Sequence, residues 1–194
     1  MIISLQRTRR LAAAAAVVGT VAAAAVMATS AGATTASATL TAGSLGFVTV
    51  PNVTFPSTPL TGVNQALTAA QPIDIGDATG SGAGWNITAT STQFSGTGSI
   101  TLPDTAVAIT SAPATPTCDA SSTCTPATAA AGVTYPYTLP AATTAPPATK
   151  MFSATAGTGL GDQTLTPTWT LTIPSDAKAG TYTSTWTLSI VSGP

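Results

Sequence analysis

Apolar and hydroxylated residues trade places along much of the chain after residue 44, most sharply near the carboxy terminus. Between Leu165 and Ile173, the residues Leu165, Trp169, Leu171 and Ile173 share one parity, while Thr166, Thr168, Thr170 and Thr172 take the other. Between Thr181 and Val191, Tyr182, Trp186, Leu188 and Ile190 alternate with Thr181, Thr183, Thr185, Thr187 and Ser189. Strand side chains point to opposite faces in turn, so each segment predicts a strand with one apolar and one hydroxyl face. Thr fits the hydroxyl face because its β-branched side chain packs well across strands. The two segments are near-copies, Thr168-Trp-Thr-Leu-Thr-Ile173 and Thr185-Trp-Thr-Leu-Ser-Ile190, linked by Pro174 to Gly180. The echo predicts an antiparallel hairpin with matching core positions.

The same reading gives further strands at Leu45–Val50, Ile73–Ile75, Gly84–Phe94, Gly98–Leu102, Thr105–Thr110, Val133–Leu139 and Met151–Ala154. Gly and Pro punctuate them at the spacing of a β-sandwich or barrel. The expected fold class is all-β, an Ig-like or Greek-key antiparallel β-sandwich. Residues 112–149 differ, being rich in Ala, Thr and Pro. Proline removes ladder donors and belongs at edges or in loops, so this stretch is expected as an insertion on the sandwich, with a mucin-like stalk as the alternative.

The amino-terminal residues read differently again. Arg7, Arg9 and Arg10 precede an apolar run from Leu11 to Met27, and Ala31-Gly32-Ala33 and Ala36-Ser37-Ala38 follow as small-residue cleavage sites. This is the order of an export signal, so residues 1–38 are expected as a helical signal peptide and residues 39–194 as one β-domain. The alanine-heavy run is marginal in length for a membrane anchor, and no second stretch could span as a helix. No Leu-Pro-x-Thr-Gly sorting motif is present. The expected location is secreted, at the wall or surface of a bacterium.

Export changes how the two cysteines read. Cys118 and Cys124 in an oxidising compartment suggest a local disulfide, worth about 2–2.5 kcal/mol for so short a loop. A free or redox-active pair is the alternative. Zinc is not expected, because it needs four ligands and the chain has no histidine.

Charge narrows the function classes. Beyond residue 10 only Lys150 and Lys178 are basic, against six aspartates and no glutamate. Two cations cannot track a phosphate backbone, so nucleic acid is not an expected partner. Histidine is absent, which removes the usual general base and the Ser-His-Asp arrangement, and neither an enzyme nor a cofactor is expected. Asp74 and Asp77 are weak candidates for a cation site or a carboxylate pair; the plainer reading is turn capping in Ile73-Asp-Ile-Gly-Asp-Ala-Thr-Gly. Gly80, Gly82 and Gly84 lack the helix and lysine of a phosphate loop. Asn52-Val-Thr54 and Asn86-Ile-Thr88 match the glycosylation sequon.

The tryptophans carry a family resemblance. Gly84-Trp85-Asn86-Ile87, preceded by Asp77-Ala-Thr-Gly-Ser-Gly-Ala, is similar to the early Gly-Trp-x-Leu motif of the WxL-domain family of bacterial cell-surface proteins. Tyr182-Thr-Ser-Thr-Trp186-Thr187-Leu188-Ser-Ile190-Val-Ser-Gly-Pro194 resembles that family's late motif, Tyr-x-x-x-Leu-Thr-Trp-x-Leu-x-x-x-Pro. Tyr182, Thr187 and Pro194 coincide with it, Ile190 and Ile87 replace leucines, and Trp186 and Leu188 stand on the leucine and tryptophan positions respectively. The resemblance spans residues 45–194. It implies a β-sandwich that associates non-covalently with peptidoglycan or another cell-wall glycan, often beside other surface proteins. It also makes Trp85, Trp169, Trp186 and Tyr182 the wall-binding candidates. Core packing is the competing role for each tryptophan, since an indole buries about 200 Å² on an apolar strand face. A second function class is a structural subunit of a filament or surface layer, self-assembled through open sheet edges.

Overall fold

The alternation between residues 45 and 192 becomes fifteen strands in a computed structural model that describes residues 34–194. They are β1 (Leu45–Thr49), β2 (Gln65–Ala70), β3 (Ile73–Asp77), β4 (Trp85–Thr92), β5 (Ser95–Gly96), β6 (Ile100–Thr101), β7 (Val107–Ile109) and β8 (Thr117–Cys118). Then follow β9 (Tyr137–Thr138), β10 (Ala141–Ala142), β11 (Thr149–Ala154), β12 (Gly161–Leu165), β13 (Thr168–Ile173), β14 (Tyr182–Thr183) and β15 (Trp186–Ser192). No helix occurs among the described residues, in keeping with the expected all-β class. The helical signal peptide expected at 1–38 lies mostly outside the described residues.

One layer is built on a long antiparallel pair. β2 and β3 form one run, β12 and β13 the other, and both halves keep a single register from Gln65 opposite Ile173 to Asp77 opposite Gly161. Pro72 and Pro167 interrupt the ladder at neighbouring rungs, because proline has no N–H to donate. The Gln71 backbone N–H bridges the break by donating to the Pro167 carbonyl at 3.0 Å. β1 flanks β3, β8 flanks β12, and β7 then β9 extend the sheet from β13.

The other layer centres on β4. β15 runs along one edge of it and β11 along the other, both antiparallel, and β10 adds a short parallel pairing at Ser91 and Thr92. A small sheet, β14-β5-β6, stands at one end. Between the layers, Ile73, Ile75, Leu165 and Trp169 meet Trp85, Ile87, Met151 and Phe152 in one cluster, all 2 % exposed or less. Burying such side chains stabilises by about 1.5–3 kcal/mol each.

The expected hairpin does not form. β13 pairs with β2 and β7, whereas β15 pairs with β4. Two strands with matching apolar faces cover one another best face to face, from opposite layers. The stretch Pro174–Gly180, far longer than a two-residue hairpin turn, carries the chain across.

The Pro-rich stretch 112–149 is bonded into both layers. β8 pairs with β12, β9 with β7 and β10 with β4. Ala127, Tyr137 and Leu139 are buried, and the Thr90 hydroxyl donates to the Pro146 carbonyl at 2.6 Å. Proline-broken sequence here yields strand pieces of two residues, each satisfied by a longer neighbour.

Candidate functional site

Trp85 opens β4, and its fully buried indole N–H donates to the Gly159 carbonyl at 3.0 Å. Its ring packs on Phe152 with centroids 5.6 Å apart. Gly84 and Gly159 both have positive φ, +72° and +83°. A Cβ on Gly84 would strike the Ala154 carbonyl, and one on Gly159 would strike the Trp85 indole. The Gly-Trp pair is therefore a packing device that needs bare backbone on two sides. Trp169 is equally closed, its N–H donating to Gln71 Oε1 at 2.8 Å. Neither tryptophan offers a face to a ligand.

Trp186 and Tyr182 are placed differently. Both are partly buried and line a groove of about 1040 Å³ between β14–β15 and the strand-free segment Val50–Leu60. Edge-to-face aromatics run from the groove into the core: Phe55 on Phe94 at 6.3 Å, Phe94 on Trp186 at 6.5 Å, and Trp186 on Trp169 at 4.8 Å. Among the described residues, the Trp186 indole N–H meets no protein acceptor, unlike those of Trp85 and Trp169. Thr54, Ser57 and Thr183 are among the lining residues, and the Ser184 hydroxyl, also in the lining, donates to the Thr92 carbonyl. Lys178 is the one charged side chain in the lining, and no carboxylate belongs to it. The Tyr182 hydroxyl donates to the Lys178 carbonyl at 2.7 Å, which closes the loop that forms one rim.

The segment Val50–Leu60 forms the opposite wall without joining a sheet. Pro51, Val53 and Phe55 turn inward while Asn52 and Thr54 are exposed. Side-chain amides hold it: Gln71 Nε2 donates to the Pro51 carbonyl at 2.9 Å and Gln65 Nε2 to the Pro59 carbonyl at 3.1 Å. Phe55, Phe94 and this wall are the site elements that the sequence reading missed. Their trace was present in the alternation of Pro51, Val53 and Phe55 with Asn52 and Thr54, obscured by three prolines that argue against a strand.

The aspartate candidates point apart. On β3, Ile73, Ile75 and Asp77 face inward and Asp74 faces outward, so Asp74 and Asp77 cannot share one cation from that strand. Asp77 Oδ1 accepts from the Thr79 N–H at 3.0 Å and the Thr79 hydroxyl at 2.6 Å, the capping role. Asp74 lies with Asp119 and Asp162. Burial first, then a hydrogen bond and charge from Asp119, and last the Asp162 charge, push its carboxyl above the usual carboxylate range. No group of three metal-ligating side chains converges among the described residues. Cys118 and Cys124 are joined as a disulfide, Cα atoms 5.4 Å apart, at the end of β8. Asn86 of the second sequon is buried, its Nδ2 donating to the Gly193 carbonyl at 2.8 Å.

These features define a class, a disulfide-bonded, hydroxyl-faced β-sandwich with one aromatic groove and two tryptophans locked in its core. The chain belongs to the WxL domain family, described as surface cell wall-binding, whose profile matches residues 27–194. No curated protein and no solved structure matches the chain.

Proposed function

We propose that this protein is exported through its first 38 residues, works outside a bacterial cell, and holds non-covalently to peptidoglycan without catalysing a reaction. The family's surface and wall-binding character supports the location. The observation that carries the reading is the groove itself, where Trp186 and Tyr182 stand among serine and threonine residues with almost no charge. Ligand sites combine apolar and aromatic lining with a few polar groups that fix orientation, and this groove has both. Co-sedimentation of the purified protein with wall sacculi tests the reading. Retention above that of an unrelated acidic domain is expected, and retention no better than that control rejects it.

A second reading, assembly into a surface layer or filament, is favoured by the sheet edges. Among the described residues β15 pairs only with β4, and Val191 on it is 52 % exposed. β1 packs near β15 without pairing to it, and backbone groups left unpaired at a sheet edge can accept a partner strand. Sedimentation velocity at high concentration tests this, with a persistent monomer as the result against it.

A further inference from the structure

We propose that the groove between Val50–Leu60 and β14–β15 is a subsite for an acetamido sugar in the peptidoglycan glycan strand, with the Trp186 indole N–H as its hydrogen-bond donor. The inference rests on the wall-binding reading and names the part of the wall that is held and the residue that holds it.

The three indoles separate by role. Those of Trp85 and Trp169 are fully buried and spend their N–H groups on Gly159 and Gln71. Trp186 is only partly buried, lines the groove, and has no acceptor for its N–H among the described residues. The Trp186 N–H is not among the buried unpartnered groups, so this donor of a groove-lining residue is left to an acceptor from outside, water or ligand. Around it stand the rings of Phe94, Phe55 and Tyr182. An acetamido group matches both features, because its carbonyl oxygen accepts from the indole and its methyl lies against aromatic surface.

Charge decides between the parts of the wall. A stem peptide brings carboxylates and amines, and an anionic wall polymer brings a phosphate or carboxylate at each repeat. The groove offers a single lysine, Lys178, and no carboxylate. Binding a repeating polyanion rests on several cations and falls steeply with salt. An uncharged pyranose instead needs neutral polar partners and an aromatic face, and the lining combines serine, threonine, asparagine and glutamine residues with the rings. The volume of about 1040 Å³ is at the upper end of what small-ligand sites use, enough for a short oligosaccharide.

The test joins sacculus binding to a signal from one indole. Purified protein is sedimented with sacculi stripped of accessory polymers and, separately, with unstripped sacculi. In parallel, its indole N–H resonances are followed while a β-1,4-linked N-acetylglucosamine tetramer is added, with a cellulose-derived tetramer lacking acetamido groups as control. The expected result is retention on both sacculus preparations and movement of the Trp186 indole resonance with the acetamido tetramer alone. Trp186→Phe keeps a ring in place and removes the donor, and it should weaken retention up to about tenfold, as loss of one neutral hydrogen bond allows. Ala179→Arg, at an exposed rim position, should block the groove without touching the core and should weaken retention as well. Wild-type retention that both variants keep, with a motionless Trp186 resonance, overturns the subsite and leaves wall binding standing. Binding only to unstripped sacculi overturns it in favour of an accessory polymer. No retention of wild type on either preparation removes both the subsite and the wall reading.

Discussion

The indole rings of Trp169 and Trp186 meet edge to face across the sandwich, centroids 4.8 Å apart and planes 68° to one another. Trp169 comes from β13 in one layer and Trp186 from β15 in the other, so the contact is one of the pins between layers. Their similar sequence settings conceal different duties. Trp169 has no solvent exposure and a satisfied N–H, whereas Trp186 reaches the groove.

This difference predicts unequal costs. Trp169→Ala should destabilise the domain by about 3–5 kcal/mol, as expected for a large aromatic removed from a core. The change also strands Gln71 Oε1, the acceptor of its N–H. Trp186→Ala should cost clearly less. A double-mutant cycle in urea should return a coupling of about 0.5–1.5 kcal/mol for the aromatic pair. Equal single-mutant costs would contradict the division of roles.

A second prediction concerns the glycines around Trp85. Gly157 and Gly159 share a φ of +83°, but a Cβ on Gly157 meets open space while one on Gly159 strikes the Trp85 indole. Gly157→Ala should therefore cost only the left-handed backbone penalty, about 1–2 kcal/mol. Gly159→Ala should cost more than that, because the indole must move from its bond to the Gly159 carbonyl. Thermal unfolding of the two variants gives the comparison directly, and indistinguishable midpoints would deny the steric role.

Much of this architecture was legible because period-two alternation carries direct physical meaning. The apolar parity of Trp169, Leu171 and Ile173 faces the core as read, and Cys118 and Cys124 pair as their spacing suggests. Pairing partners were not legible. The echo between Thr168–Ile173 and Thr185–Ile190 records shared burial, and shared burial is equally served by two layers or by one hairpin. β2 was not legible because Gln65-Ala-Leu-Thr-Ala-Ala70 holds one β-branched residue, Thr68, and no aromatic; its place is set by pairing with β13, a tertiary effect that overrides local preference. For the site, the motif tryptophans were visible but their accessibility was not, and the contact of Phe55 with Phe94 is a long-range one that local periodicity does not encode.

A third prediction follows from Asp74. Burial, reinforced by Asp119 and Asp162, raises its folded-state carboxyl above the unfolded value of 3.8. A raised acid binds more protons folded than unfolded, so its contribution weakens stability as pH climbs from that value through the folded pKa. Asp74→Asn removes the charge and keeps a group able to donate to Asp119. The variant should melt higher than wild type at neutral pH, with the gap closing near about pH 3, where unfolded aspartates become protonated. Melting curves across that range decide the matter, and a variant less stable than wild type at neutral pH would refute it.

The last prediction lies at the alkaline end. Tyr135 donates its hydroxyl to the Met151 carbonyl at 2.7 Å. Burial, with a smaller effect from nearby Tyr137, pushes its phenol from 10.0 up to about 12. Tyr137 is raised as well, again mainly by burial and in spite of its bond to Thr149. Each phenol stays protonated in the folded protein over a range where the unfolded chain has already lost the proton. Stability should therefore start to fall as pH passes 10.0 and go on falling until about 12. Tyr135→Phe should cost about 0.5–1.5 kcal/mol at neutral pH for the lost hydrogen bond, yet shed part of the alkaline loss. Its stability should then approach that of wild type as pH rises. Urea unfolding at neutral pH and at successive alkaline values measures both effects, and parallel curves for the two proteins would show that the phenol titrates freely in the folded state.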